Sequence, residues 1–229
     1  MQKTIRYITA RLYKPLLVRY LSSTRTYVYK GIRLLIPPAV FHPGFFQSTR
    51  LLLRHIGRQP LQGRTLLELG AGSGLISLFA AQKGAKVTAI DINQTAIEYL
   101  VSNSARNGLP IEIIRSDLFN HIPVRTFDII AINPPYYKKQ PLSPAEYAWY
   151  CGENGEYFRG LFSSLRNYTH SRTTTWMILN DACDLEMIRG LATAYGWALI
   201  CVWTKRNWLE RNFIFSVSPL FGAESTLRN

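Results

Sequence analysis

The stretch of this chain with the clearest chemistry is FDIIAINPPYYKKQ, Phe127 to Gln140. An apolar run, Phe127 to Ile132, stops at Asn133-Pro134-Pro135-Tyr136. Two consecutive prolines cannot continue a ladder of backbone hydrogen bonds, so a buried strand must end there in a rigid corner. The corner offers two neutral acceptors, the Asn133 side-chain oxygen and the Pro134 carbonyl. Each can take one N–H of an NH2 group. Tyr136 adds an apolar face on which a planar amide or base can lie. Asn133, Pro134 and Tyr136 are the expected catalytic residues, and Asn133, Pro135, Tyr136 and Tyr137 the expected substrate contacts.

A second set lies upstream. In LLELGAGSG, Gly70, Gly72 and Gly74 follow an apolar strand and open a helix, which allows a tight turn and a close backbone approach to a ligand. The spacing is not that of a dinucleotide fingerprint, because the third glycine comes one position early. Glu68, near the strand end, would repel a pyrophosphate and suits the cationic end of a ligand. Asp91 ends the next strand about twenty residues on, where an acidic side chain accepts ribose hydroxyls. Ser116-Asp117 ends a third strand and suits the amino edge of an adenine. Glu68, Gly70, Gly72, Gly74, Asp91, Asp117 and Asn133 are therefore expected around one nucleoside-like ligand, at the C-terminal ends of successive strands.

The elements that must position these residues are regular from residue 64 onward. RTLLELG, KVTAID, IEIIRSD, FDIIAIN, TTWMILN, WALICVWTK and NFIFSVS read as seven strands. Helical segments, among them SGLISLFAAQKG and NQTAIEYLVSNSARNG, alternate with the earlier ones. This alternation predicts an α/β, Rossmann-like, seven-stranded and mostly parallel sheet, covered on both faces, with a C-terminal antiparallel hairpin. Upstream, Ile5, Ile8, Leu12 and Leu16 predict an amphipathic basic helix. TYVYKGIRLLIPP predicts two short strands around Lys30-Gly31, and Ser48 or Thr49 is read as the cap of a helix ending at Gly57. Residues 1–38 are thus read as a basic N-terminal extension of helix and short hairpin, with the main domain over 39–229. YAWYCGENGEYF is expected at the substrate mouth, and the four histidines, in no triad or metal spacing, at the surface or in loops.

Composition narrows the partners. The 229 residues carry 47% hydrophobic and 18% charged side chains, enough apolar content to fill a core and too much for a disordered chain. The net charge is +13, and residues 1–67 hold twelve basic residues and no acidic one. A field this one-sided favours nucleic acid, the ribosome or an anionic surface. The cysteines, Cys151, Cys183 and Cys201, are widely separated, which points to reduced thiols, a cytoplasmic protein and no structural metal. No apolar run approaches the length of a membrane-spanning helix.

LLELGAGSGLISLFA, AIDIN and NPPY together resemble class I S-adenosylmethionine-dependent methyltransferases. Within that class, VFHPGFFQSTRLLL and AWYCGENGEYFRGLF are similar to segments of the HemK family, which methylates glutamine amides of release factors. Two positions differ from the family pattern: Ser48 stands where an acidic residue is usual, and Cys151-Gly152 stands for paired glycines. The resemblance implies S-adenosyl-L-methionine as cofactor and methyl transfer to a planar NH2 nitrogen. The acceptor it favours is a protein glutamine, in a release factor or another protein. Two alternatives stay open: an exocyclic amine of a base in RNA or DNA, and a non-catalytic scaffold that binds RNA or membrane.

Overall fold

In a computed structural model, residues 20–38, 40–45, 47–207 and 210–220 are described. The helix expected between Ile5 and Leu16 lies outside these residues. Chain order begins with β1 (Arg25–Tyr29) and β2 (Ile32–Ile36), then α1 (Gln47–Ile56). Two βα steps and two further strands follow: β3 (Thr65–Leu69), α2 (Leu75–Gln82), β4 (Lys86–Asp91), α3 (Gln94–Asn107), β5 (Glu112–Arg115) and β6 (Phe127–Ile132). The chain closes with α4 (Glu156–Ser164), β7 (Thr169–Asn180), α5 (Leu185–Ala194), β8 (Trp197–Arg206) and β9 (Arg211–Pro219).

The main sheet has seven strands in the order β5-β4-β3-β6-β7-β9-β8. β3 to β7 are parallel, whereas β9 runs antiparallel to both β7 and β8. The terminal hairpin therefore inserts its second strand beside β7 and leaves β8 at the edge. Its burial explains the unbroken apolar runs. On β3 and β6, Leu67, Ile130 and Ile132 face a core shared with α4 and α5, while Leu66, Ile129 and Ala131 face the core of α1 and α2. Side chains alternate across the sheet, so a strand covered twice must be apolar at every position.

The chain order reverses at β3. From β3 it winds outward to β4 and β5, then returns to β6 on the other side of β3. Such a switch point opens a crevice at the C-terminal strand ends. Leu69 and Ile132 are partners in register, so Gly70 and Asn133 leave neighbouring strands at the same level. The glycine loop and the proline corner are thus adjacent by topology alone.

Three features bear on what was expected. First, the hairpin of the expected N-terminal extension packs into the core of the main sheet. Ile32, Leu34 and Ile36 are buried with α1 and α2, and α3 completes the attachment. Asn103 accepts from Leu35 N at 2.8 Å and donates to Leu35 O at 3.0 Å, and Asn107 does the same for Arg33 at 2.8 Å each. Two amides one helical turn apart thus stand in for a neighbouring strand. The hairpin turn itself is as expected: Lys30 and Gly31 both have positive φ, the two-residue geometry that matches strand twist. Second, α1 begins at Gln47, so Ser48 and Thr49 lie inside its first turn and are not its cap. Third, His42 lies in a loop, as expected, but is buried there, 5% exposed and edge-on to Tyr27 and Phe45.

Candidate active site

The crevice at the switch point is a cleft of about 510 Å3, within the size range of small-molecule sites. Its walls hold Glu68, Gly70, Gly72, Asp91 and Asp117 on one side, and Asn133, Pro134, Pro135 and Tyr136 on the other. Nine of the expected residues are therefore brought together. Gly74 and Tyr137 are not among the lining residues.

The two glycines that line the cleft differ from the one that does not. A Cβ on Gly70 would meet nothing within 4 Å, and on Gly72 only Val40 at 3.6 Å. Both have positive φ and leave backbone open to a ligand. At Gly74 a Cβ would overlap Leu100 Cδ1, so this glycine lets α2 start against α3. Packing thus requires a glycine here, at a position that does not line the cleft.

The carboxylates are held by backbone N–H groups. Asp91 Oδ2 accepts from Gly72 N at 2.8 Å and Oδ1 from Asn93 N at 2.9 Å. Burial raises its pKa, and these amides oppose the rise. Both oxygens keep a further lone pair for a hydroxyl donor. Glu68 is 5% exposed, and its Oε2 accepts from Ser77 N at 2.7 Å and from the Ser77 hydroxyl. Burial pushes its pKa up to about 8 despite those bonds, with the nearby Asp91 charge adding to the rise. A buried carboxyl of this kind gains most from a cationic partner. Asp117 is exposed at the end of β5, beside buried Ser116, whose hydroxyl bridges Leu118 O at 2.8 Å and His121 N at 3.0 Å.

The corner is held by side chains from distant segments. Asn133 Nδ2 donates to Thr49 Oγ1 at 3.2 Å, across to the first turn of α1. Pro134 is buried, which fixes its carbonyl. The Tyr136 hydroxyl accepts from Asn180 Nδ2 at 3.0 Å, and the same amide donates to Glu210 Oε2 at 2.9 Å. Burial leads the causes that raise the Tyr136 phenol above its ordinary pKa, so it stays protonated. Tyr136 N and Tyr137 N donate to Trp149 O at 3.2 and 3.0 Å, and Cys151 N donates to Tyr137 O at 3.0 Å. These bonds fasten residues 149–151 to the corner and turn the Tyr137 side chain outward, 40% exposed. Tyr137 thus anchors the corner through its backbone, with its ring outside the cleft lining.

The segment expected at the mouth is there: Tyr147, Trp149 and Tyr157 line the cleft, and Trp149 meets Phe41 with ring centroids 5.2 Å apart. Sequence reasoning gave Thr49 only a cap's role and covered Tyr157 only as part of the mouth segment. Burial, then the charges of Asp117 and Asp91, raise the Tyr157 phenol pKa. The available signal for Thr49 was its fixed place before an apolar helix. For Tyr157 it was the aromatic-rich run itself.

A cleft at the switch point, a glycine loop, acidic strand ends and a reversed last strand define the S-adenosylmethionine-dependent methyltransferase class. Within it, residues 31–146, half of the chain, match the methyltransferase small domain family, and the chain belongs to that family. A candidate protein N5-glutamine methyltransferase of Methanocaldococcus jannaschii is 37% identical over 108 residues, covering 47% of this chain and 52% of that protein. Ribosomal RNA small subunit methyltransferase C of Alcanivorax borkumensis is 26% identical over 179 residues, covering 73% of this chain and 50% of that protein. The match thus spans about half the length of these curated relatives. Among solved structures, the ribosomal protein L11 methylase of Lactobacillus delbrueckii superposes with a TM-score of 0.62 at 20% identity, over 86% of this chain and 90% of that one.

The residues present fit the cofactor of this class. Open space over Gly70 and Gly72 leaves room for a ligand against the loop, Asp91 has lone pairs for hydroxyls, and Glu68 offers a buried carboxyl to a cation.

Proposed function

We propose that the chain transfers the methyl group of S-adenosylmethionine to a planar NH2 nitrogen, that of a glutamine side chain in a protein. The observation that carries this reading is the shared cleft: Asn133 and Pro134 leave the strand next to Gly70 and line the same cavity as Asp91. When bound, the cofactor supplies a methyl group already activated on a sulfonium sulfur. The chain's work is then orientation and charge management. Gly70 and Gly72 give the loop its open backbone, Asp91 accepts hydroxyls, Asp117 meets an amino edge, and Glu68 receives the cationic end. Asn133 Oδ1 and the Pro134 carbonyl accept the two N–H bonds of the acceptor, which directs the nitrogen lone pair away from them. An amide nitrogen needs this help because its lone pair is delocalised. No strong base is required beforehand, since the proton leaves once the nitrogen carries the added methyl. Protonated Tyr136 and half-buried Pro135 shape the surface on which the planar group lies.

The glutamine acceptor is favoured by the Methanocaldococcus relative, a candidate protein N5-glutamine methyltransferase. A release factor or another protein of translation, in the cytoplasm, is the matching partner, and the three free cysteines accord with it. No helix among the described residues is long and apolar enough to cross a membrane. A second reading takes the exocyclic amine of a base in RNA. It draws on the acid-free basic segment over residues 1–67 and on the ribosomal RNA relative. One assay separates them: labelled S-adenosylmethionine with separate pools of cell protein, RNA and DNA. Label on protein glutamine, lost in Asn133→Ala, is expected. Label in RNA lost in the same variant would select the second reading, and label in no pool would defeat both.

A further inference from the structure

We infer that Thr49 is a positioning residue for the reaction, which sets the Asn133 amide with its oxygen toward the cleft; this rests on the methyl-transfer reading. An asparagine amide has an acceptor end and a donor end of nearly equal size, exchanged by half a turn of χ2. With the donor end forward, Asn133 would oppose the N–H bonds of an NH2 group instead of accepting one. The neighbouring acceptor, the Pro134 carbonyl, has no such freedom, because its backbone is buried and its ring fixes φ. The asparagine therefore needs an outside constraint, and Thr49 supplies one.

Thr49 Oγ1 accepts from Asn133 Nδ2 at 3.2 Å. Among the described residues this is the one hydrogen bond of the Asn133 side chain, so Oδ1 is the end left for the cleft. Thr49 is itself 8% exposed and lines the same cavity. It sits in the first turn of α1, whose Leu51, Leu52, Leu53 and Ile56 are buried in the core. A rigid helix thus carries the hydroxyl to a rigid strand end. The consequence is specificity: the corner selects a nitrogen bearing two hydrogens over an acceptor atom of the same size.

Three variants test this. Thr49→Val keeps the shape and removes the hydroxyl, Thr49→Ser keeps the hydroxyl, and Asn133→Ala removes the group being positioned. At saturating labelled S-adenosylmethionine, the transfer rate to the pool that wild type labels is expected to fall about tenfold to a hundredfold in Thr49→Val. Thr49→Ser is expected to keep the rate within about threefold, and S-adenosylhomocysteine binding to change by less than about twofold in both. In an Asn133→Ala background, adding Thr49→Val should cost nothing further. An equal loss in that background, or an unchanged rate in Thr49→Val, would overturn the assignment. A readout without any acceptor is the side-chain NH2 resonance of Asn133, identified by its absence in Asn133→Ala. It should shift in Thr49→Val and return in Thr49→Ser. If it moves while no pool accepts label from wild type, the positioning stands and the methyl-transfer reading fails. If it does not move, the positioning fails whatever the activity.

Discussion

Gly70 and Asn133 leave neighbouring strands at one level, yet the two sides of the cleft that they open are held by different means. On the nucleotide side the bonds are short-range and use the backbone. Gly72 N and Asn93 N hold Asp91, and Ser77 N holds Glu68, all within 26 positions, Glu68 to Asn93. On the corner side backbone bonds to residues 149–151 are joined by side-chain bonds between residues far apart in sequence. Thr49 reaches Asn133 across 84 positions, and Asn180 reaches Tyr136 across 44. A side built from backbone tolerates most substitutions, because every residue has an N–H. A side built from side chains depends on which residues occupy three separately docked segments. The difference predicts that cofactor affinity and transfer rate can be broken independently.

The largest effect expected is from Asn133→Ala, about a thousandfold loss of transfer, or about 4 kcal/mol. S-adenosylhomocysteine affinity, measured by calorimetry, should fall less than about tenfold. An equal loss in both would mean that the two sides are not separable. Asp91→Ala reverses the pattern: affinity is expected to fall about a hundredfold, about 2.7 kcal/mol. The rate at saturating cofactor should be largely kept, and an unaffected affinity would remove Asp91 from the ligand side. Asn180→Ala comes next. It frees the Tyr136 hydroxyl and leaves Glu210 without one partner. We expect about a tenfold loss of transfer with unaltered cofactor affinity. Tyr136→Phe, which removes the hydroxyl but keeps the ring, should lose less. If it loses more, the ring is not the working part.

The same contrast decides how much could be read from the sequence. Seven strands, their alternation with helices and the proline corner were legible, because periodicity, prolines and caps act locally. Asn93 caps α3 by accepting from Thr95 N at 3.0 Å, and Gly108 ends it in the left-handed conformation. The glycine loop and the acidic strand ends were legible as elements for the same reason. What escaped depends on tertiary packing. Gly70, Gly72 and Gly74 look equivalent at a spacing of two, and only Leu100, from α3, separates the third from the others. Pro37-Pro38 does end a strand, and Asn103 and Asn107 tie that strand to the core, an attachment that no local signal announces. Thr49 resembles a cap in sequence and bonds across the cleft in space.

The smallest expected effect tests whether the nucleotide side is complete in itself or is built around a missing charge. Glu68 has a folded pKa of about 8 against a reference value of 4.5, with burial as the leading cause. Between those values the unfolded chain has released its proton while the folded chain keeps it. Stability therefore falls as pH rises through that window, and the contribution levels off above about pH 8, where both states are ionised. The limiting slope for one group is about 1.4 kcal/mol per pH unit, so about 1 kcal/mol is expected between pH 6 and pH 7. Glu68→Gln can still accept from Ser77 N but has no proton to lose in this range, so its denaturant-unfolding stability should vary less over the same interval. Comparing the two proteins cancels the other titrating groups, His42 and His55 among them, whose burial lowers their pKa values and acts in the opposite direction. Identical slopes would show that Glu68 is ionised and satisfied without a ligand. A slope that disappears from wild type when S-adenosylmethionine is added would show that a cation completes the site.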